Sequence, residues 1–226
     1  MTVLHLADDG EAADLAAFLS RLLHYDRSAA VRLQAAGTAL AVFGRPASFE
    51  VLAVRAVRLA KPYENGLDVT LDVTVSAGEL LESVDETGAT AAVPGAVTGP
   101  PWAGVLPPRG GWRPEPGLPA LDELRRLVGA GVAEFRGRTR DLAPERRTRA
   151  ELDRVGREIW DRAVADTGLP VRAVHAAHAL GFLRPSGSGQ DAPGLFSSGA
   201  WLRLRTPYGS VAVRRAGLGQ LGLSVR

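Results

Sequence analysis

The sequence predicts an α+β fold, because its helices and its antiparallel strands come in separate blocks. One N-terminal helix precedes a run of strands, and three further helices precede a β-hairpin. Strands and helices that alternate one by one would instead predict a parallel sheet. We therefore expect an N-terminal helix on an antiparallel sheet, a Gly/Pro-rich connecting segment, and C-terminal helices followed by a β-hairpin.

The first helix is predicted over residues 10–24. Asp8 and Glu11 have the spacing of a helix cap, in which a side-chain oxygen accepts a hydrogen bond from the backbone three residues further on. Apolar residues then recur at the spacing of a buried helix face. They are Leu15, Phe18, Leu19, Leu22 and Leu23.

Three strands are predicted after this helix. Residues 29–36 and 38–43 flank a single glycine and should form a hairpin. Residues 49–60 are apolar on both faces, as in a central strand. Further along the chain, Ser76 and Glu79 have the spacing of a second helix cap, which predicts a short helix there.

A fourth strand is predicted over residues 67–75, where apolar and polar residues alternate strictly. Its polar face carries Asp68 and Asp72. We expect these carboxylates to pair across strands with Arg55 and Arg58, rather than to perform acid–base chemistry.

The C-terminal half is predicted to contain three helices and a hairpin. The first helix begins at Pro119, and the others cover residues 145–166 and 170–181. The hairpin strands are predicted at residues 201–205 and 210–214, around a Pro-Tyr-Gly turn. No internal sequence repeat is visible.

A chain of 226 residues fits one domain. We expect a single domain over residues 1–226, with one lobe of helix and antiparallel sheet at 1–87 and a second of three helices and a hairpin at 119–226. The joining segment, residues 88–118, is rich in glycine and proline and has no regular period.

Composition excludes several classes of site. The chain has no cysteine, so it forms no disulfide, zinc–thiolate site or iron–sulfur cluster. It shows no signal peptide and no apolar run of membrane-spanning length, which predicts a cytoplasmic protein without membrane contact. The net charge of +2 creates no field that requires nucleic acid.

No catalytic or cofactor-binding motif in the sequence has the surrounding secondary structure that its function requires. Gly217, Gly219 and Gly222 match the dinucleotide fingerprint as a string, but no helix is predicted after them to hold a pyrophosphate. No phosphate-binding P-loop motif and no nucleophile elbow is present. We expect no cofactor and assign no catalytic residue.

Two histidines stand three residues apart on the predicted helix 170–181. His175 and His178 would share a face, and histidine pairs of this kind can ligate metals. No third ligand is identifiable, so packing histidines are favoured and no metal site is assigned.

Residues 145–214 also have the element order of a winged helix-turn-helix, with the hairpin as the wing. This alternative interpretation makes the protein a DNA-binding regulator, although the recognition helix would present few donors to a groove. The contacting residues would be Arg172, Arg203, Arg205 and Arg214. The densest basic run, residues 136–149, is interpreted as a solvated connection between helices.

Large aromatic residues stand within the Gly/Pro-rich segment. Trp102 and Trp112 bracket Arg109. Tryptophans in an irregular segment commonly anchor it to the core, and they also serve as binding platforms. Because long ordered loops are often functional, we expect these three residues to form the binding surface.

Two stretches carry a family resemblance. The stretch GPPWAGVLPPRGGW and the helix HAAHALGFL resemble those of uncharacterised hypothetical proteins of high-GC actinobacteria. The resemblance covers most of the chain. It implies a cytoplasmic location and brings no assigned activity, so no functional residue is carried over.

The leading functional hypothesis is a non-catalytic protein that binds a partner protein or acts in assembly, with a homodimer as one form. The favoured surface is the tryptophan-bracketed segment. A DNA-binding regulator is the first alternative. The second is a hydrolase or transferase whose site leaves no motif in the sequence.

Overall fold

The computed structural model describes residues 2–60, 71–185 and 192–215, and within these ranges it has the predicted α+β fold. The strands are β1 Val3–His5, β2 Ala30–Ala36, β3 Ala39–Gly44, β4 Leu52–Arg58, β5 Asp72–Ser76, β6 Val84–Asp85, β7 Thr90–Ala92, β8 Arg113–Glu115, β9 Gly194–Ser198, β10 Trp201–Thr206 and β11 Gly209–Arg214. The helices are α1 Asp9–Tyr25, α2 Ala77–Glu82, α3 Leu121–Arg140, α4 Arg149–Trp160 and α5 Val171–Ala179.

Two antiparallel sheets organise these strands. The larger sheet has the order β5-β2-β3-β4-β11-β10-β9-β8, and the smaller has the order β1-β7-β6. The large sheet is the scaffold of the molecule, because it combines strands from both ends of the sequence.

Both helix caps form as predicted. The Asp8 side chain accepts a 2.8 Å hydrogen bond from the backbone N–H of Glu11. The Ser76 hydroxyl accepts one of 3.3 Å from the backbone N–H of Glu79. These caps satisfy N–H groups that the first turn of a helix leaves without intrahelical partners.

The strand predictions hold for the first hairpin and for the central strand. Gly37 joins β2 to β3 with φ +59°, a conformation that glycine adopts without steric cost. Strand β4 pairs with β3 on one side and with β11 on the other, so it lies in the middle of the sheet. Within the described residues, the predicted strand 67–75 is observed from Asp72 onward, as β5. Residues 67–70 lie outside the described residues, and so do Gly217, Gly219 and Gly222.

The expected pairing of Asp72 with the arginines of β4 is wrong. Strand β5 pairs with β2 instead, and Asp72 binds Arg32. Arg55 and Arg58 bind carboxylates of α1 and its cap. Local alternation identifies the faces of a strand but does not identify its neighbour in the sheet.

The large sheet contains a repeated topology that the sequence does not show. Helix α1 leads into the meander β2-β3-β4, and α5 leads into the meander β9-β10-β11. The last strands of the two meanders, β4 and β11, pair antiparallel at the junction. The two halves are therefore related by an approximate two-fold arrangement of helix and meander.

Helices cover one face of the sheet, here called the helix face. Phe18 of α1 stacks on Phe182, just beyond α5, with ring centroids 5.7 Å apart. Both rings belong to a buried apolar cluster that includes Val42 and Val211 of the sheet. The opposite face, called the outer face, carries no α-helix among the described residues and is crossed by the Gly/Pro-rich segment, which includes one short 3-10 helix at Pro101–Gly104.

Among the helices of the described ranges, none combines the length and the apolar character that a membrane crossing requires.

Candidate functional site

The outer face of the sheet forms the base of the candidate site. Phe43, Leu52 and Val54 make a small apolar cluster there, separate from the main core. Trp102 and Leu106 of the Gly/Pro-rich segment pack against this cluster. The segment is thereby fixed across the sheet, and a hollow is left beside it.

This hollow is a groove of about 630 Å³. Its floor includes Ala41, Phe43 and Val54, and one wall is Leu106 with the two prolines that follow. A second hollow of about 300 Å³ shares Val54, Ala56 and Arg203 with the first. We call the two together the outer groove.

The charged residues of the outer groove come from both halves of the chain. Among the described residues they are Arg32, Asp72, Arg109, Arg203 and Arg205. These four positive charges and one negative charge lie around a largely apolar floor, which favours an anionic or partly anionic ligand.

One end of the groove holds an ion pair. The Arg32 Nε and Nη2 atoms donate to the two carboxylate oxygens of Asp72 over 2.7 and 2.9 Å. Arg32 also donates to the backbone oxygen of Ala103, which ties the crossing segment to β2. The hydrogen bond from Arg32 holds the pKa of Asp72 below its usual value, and the positive charge of Arg109 lowers it further.

The other end of the groove is built around Arg203. Its Nε atom donates to the Ser210 hydroxyl over 2.9 Å, and its guanidinium lies 5.5 Å from the ring centre of Trp112. The Trp112 indole N–H donates to the Pro108 carbonyl over 2.9 Å. Burial lowers the pKa of Arg203, and the positive charge of Arg205 lowers it further.

Three of the groove arginines lack a carboxylate partner within the part of the chain that the structure describes. They are Arg109, Arg203 and Arg205, here called the rim arginines. Other arginines of the described residues do form ion pairs, as Arg55 does with Glu11 and Arg162 with Glu134. Among the described residues, no carboxylate forms an ion pair with the rim arginines, so their positive charge is available at the groove.

The structure brings together residues that sequence reasoning assigned to two different hypotheses. Arg109, from the expected binding surface, lines the outer groove together with Arg203 and Arg205, from the expected DNA wing, and Trp112 lies against Arg203. Trp102 anchors the segment on the apolar cluster.

The two remaining arginines of the DNA hypothesis lie elsewhere. Arg172 binds Asp161 at the end of α4. Arg214 lies over the ring of Trp201, 5.4 Å from its centre.

The expected wing is not a free hairpin. Strands β10 and β11 form the predicted hairpin, but β11 pairs with β4 and β10 pairs with β9. A wing must project from its helices to reach a duplex. Because β10 and β11 both have a further neighbour in the eight-stranded sheet, the hairpin does not project as the winged-helix interpretation of residues 145–214 expects.

The two histidines have different surroundings. His175 lies between aromatic rings, with ring centres 4.4 Å away at Trp160 and 5.1 Å away at Phe49. Burial lowers the pKa of His175, and the nearby His178 lowers it further. His178 is exposed. Among the described residues, no cluster of three or more histidines, aspartates or glutamates could hold a metal.

The basic run 136–149 is largely neutralised by carboxylates. Arg138 binds Glu134 and Glu158, and Arg146 binds Glu151. This run therefore offers less free positive charge than the outer groove does.

Sequence reasoning missed the floor and one charged wall of the groove. Arg32 and Gln34 occupy alternate positions of a strand whose other face, at Val31 and Leu33, is buried. This alternation indicates a polar outer face. It does not indicate which segment of the chain lies across that face.

The fold and the groove together define a class: an α+β protein with a large antiparallel sheet, helices on one face and a basic groove on the other. Residues 1–104 match the model of a family described as domain of unknown function DUF8010. Residues 107–218 match that of a second, described as domain of unknown function DUF8185. The two matches meet in the segment that crosses the outer face.

Among solved structures, the chain is similar in fold to the DNA polymerase sliding clamp from Pseudomonas aeruginosa. One crystal structure of that clamp aligns with a TM-score of 0.50 and 13% identity, over 94% of this chain and 64% of the clamp chain. A structure of the clamp with ligand aligns with a TM-score of 0.49 at the same identity and coverage. The chain thus spans less than two thirds of the clamp, and the likeness concerns the fold alone. A search of curated proteins finds no match.

Proposed function

We propose that this protein is a binding protein that holds a segment of a partner protein in the outer groove. The observation that carries the proposal is the groove itself, in which an apolar floor of Phe43 and Val54 lies beneath rim arginines. Apolar floors with a few convergent polar groups are typical of binding sites. The proposal assigns the site to binding and not to catalysis.

A partner protein fits this groove better than duplex DNA does. The Gly/Pro-rich segment lies along the groove, and the middle of the groove floor is apolar. Duplex DNA presents a regular array of phosphates and is bound by surfaces that are positive along their length. The similarity to a DNA polymerase sliding clamp is compatible with a role in an assembly, at the level of fold only.

We place this function in the cytoplasm, because the chain has no cysteine to form the disulfides that are typical of oxidising compartments. A homodimer, in which a second copy supplies the bound segment, is one form that the proposed assembly can take. Light scattering on the purified chain distinguishes the homodimer from a monomer that binds a different partner protein.

A substitution that fills the groove tests the proposal. Ala56 is exposed on β4 and lines both hollows. In Ala56→Phe the new ring occupies the groove without removing a contact, and phenylalanine is well suited to a strand. We expect phage-displayed random dodecapeptides to be enriched on the immobilised wild-type chain and not on this variant.

Ala133→Phe is the matched control, because Ala133 is exposed on α3, away from the outer face. It should enrich the same peptides as the wild type. Circular dichroism confirms that both variants are folded. The proposal is wrong if no peptide family is enriched on the wild type, or if Ala56→Phe enriches the same family.

A further inference from the structure

The outer groove contains a straight row of side chains that crosses five strands. Strand register places Arg32 opposite Phe43, Phe43 opposite Val54, Val54 opposite Ser210, and Ser210 opposite Arg205. The row therefore begins and ends with an arginine and is apolar or neutral between them. Four steps between strands correspond to roughly 19 Å.

The two ends of this row carry the rim arginines. Arg109 lines the groove beside Arg32, whose charge is already satisfied by Asp72. Arg203 lies two residues along β10 from Arg205, and it is therefore on the same face of the sheet. The groove therefore presents free positive charge at both ends of an apolar floor.

Among the described residues, Arg203 has no carboxylate partner. It contacts the Ser210 hydroxyl and the Trp112 indole ring, and the positive charge of Arg205 acts on it as well. A partly buried cation is costly to desolvate without an opposite charge. Groups that destabilise a fold are commonly kept at functional sites, where a ligand supplies the missing charge.

From this arrangement we propose that the groove selects an extended peptide with acidic residues at both ends of a short apolar stretch. This inference rests on the proposed function and names its ligand class. Carboxylates of the peptide bind the rim arginines, and apolar side chains between them lie over Phe43 and Val54. At about 3.3 Å per residue, roughly six residues span the row.

A single-stranded nucleic acid fits the row less well. Its phosphates would need cations along the whole path. Phe43, Val54 and Ser210, in the middle of the row, carry no charge. The chemistry therefore favours carboxylates at the two ends over a continuous phosphate chain.

The test uses fluorescence anisotropy of a labelled decapeptide that has two glutamates at each end and valine and leucine between them. We expect this probe to bind the full chain and to be released as salt is raised, because salt screens exposed charges. The double variant Arg203→Gln/Arg205→Gln should weaken binding at least tenfold. Arg157→Gln is the control, since Arg157 is an exposed arginine of α4 far from the outer face.

A gain of affinity gives a second readout that misfolding does not produce. Asp72 is the one carboxylate that lines the outer groove within the described residues. Asp72→Asn removes its negative charge and frees Arg32 for the ligand. We expect this variant to bind the acidic decapeptide at least twofold more tightly than the wild type.

Two further probes separate the outcomes. A decapeptide with serine in place of glutamate that binds equally well overturns the acidic selection and leaves the proposed function standing. A labelled oligodeoxythymidylate that binds more tightly than the acidic peptide overturns the inference in favour of nucleic acid. If none of these probes binds but phage-displayed peptides of another composition are enriched on the wild-type chain, only the acidic-peptide inference is wrong. If no displayed peptide is enriched either, the proposed function is wrong as well.

Discussion

Two arginines of the large sheet point to opposite faces and differ in how their charge is satisfied. Arg55 points to the helix face and is 5% exposed. It donates to Glu11 over 3.0 Å, to Asp14 over 3.1 Å and to the Tyr208 carbonyl over 2.8 Å. Arg203, on the outer face, has a hydroxyl and an indole ring in place of carboxylates. The ion pairs of Arg55 stabilise the fold, and we assign Arg203 to ligand binding.

Removal of the Arg55 side chain should destabilise the protein strongly. Arg55→Ala leaves Glu11, whose side chain is 11% exposed, with less opposite charge in a buried setting. Breaking a buried ion pair by removing one partner typically costs about 3 kcal/mol or more. Urea denaturation, followed by circular dichroism, measures the loss.

Arg58→Ala is the control for this variant, because Arg58 binds the same glutamate but its side chain is 71% exposed. Exposed ion pairs contribute little, so the control should lose only a small fraction of that stability. Equal losses in the two variants would contradict the account of Arg55.

At the scale of elements, the turn between β10 and β11 is fitted closely to the helix layer. Gly209 has φ +155°, and a Cβ atom there would lie 2.5 Å from the ring of Phe182. That ring is buried and stacks on Phe18 of α1. The turn therefore needs glycine for steric as well as for conformational reasons.

Gly209→Ala should lower the free energy of unfolding by about 2 kcal/mol, since overpacking a rigid core costs on the order of 1–3 kcal/mol. Gly199→Ala is the control: its φ is +54°, but no atom lies within 4 Å of the added methyl group. The control should be the milder variant in chemical denaturation. If both variants lose the same stability, the contact with Phe182 is not what requires glycine.

Elements with a local signature were predictable from the sequence. The caps at Asp8 and Ser76 and the hairpin at Gly37 depend on residues within a few positions of one another. The order of strands was not predictable, because the pairing of β4 with β11 joins residues more than 150 positions apart and has no local pattern. Strand β8 was missed because Arg113–Glu115 is short and contains a proline.

The candidate site was predictable in its parts and not as a whole. Trp102, Arg109 and Trp112 stood out because large or charged side chains are unusual in a Gly/Pro-rich segment. Arg203 and Arg205 stood out because they alternate along a strand. Only the three-dimensional structure places them on one face, since the segment crosses a sheet whose order the sequence does not reveal.

At the scale of the whole molecule, one sheet joins the two regions that match different families. The outer groove takes Arg32, Phe43 and Val54 from the first region, and Arg109 and Arg203 from the second. Neither region contains the complete groove. The account therefore ties binding to the intact chain, in which β4 and β11 hold the two halves together.

The most direct measurement is a titration of the ¹⁵N-labelled full chain with the acidic decapeptide, followed by backbone amide chemical shifts. The account predicts that the largest changes occur at Phe43, Val54 and Arg203 and along residues 105–112. Changes confined to the arginine-rich residues 136–149, at the end of α3 and in the connection to α4, with the outer face unaffected, would contradict it.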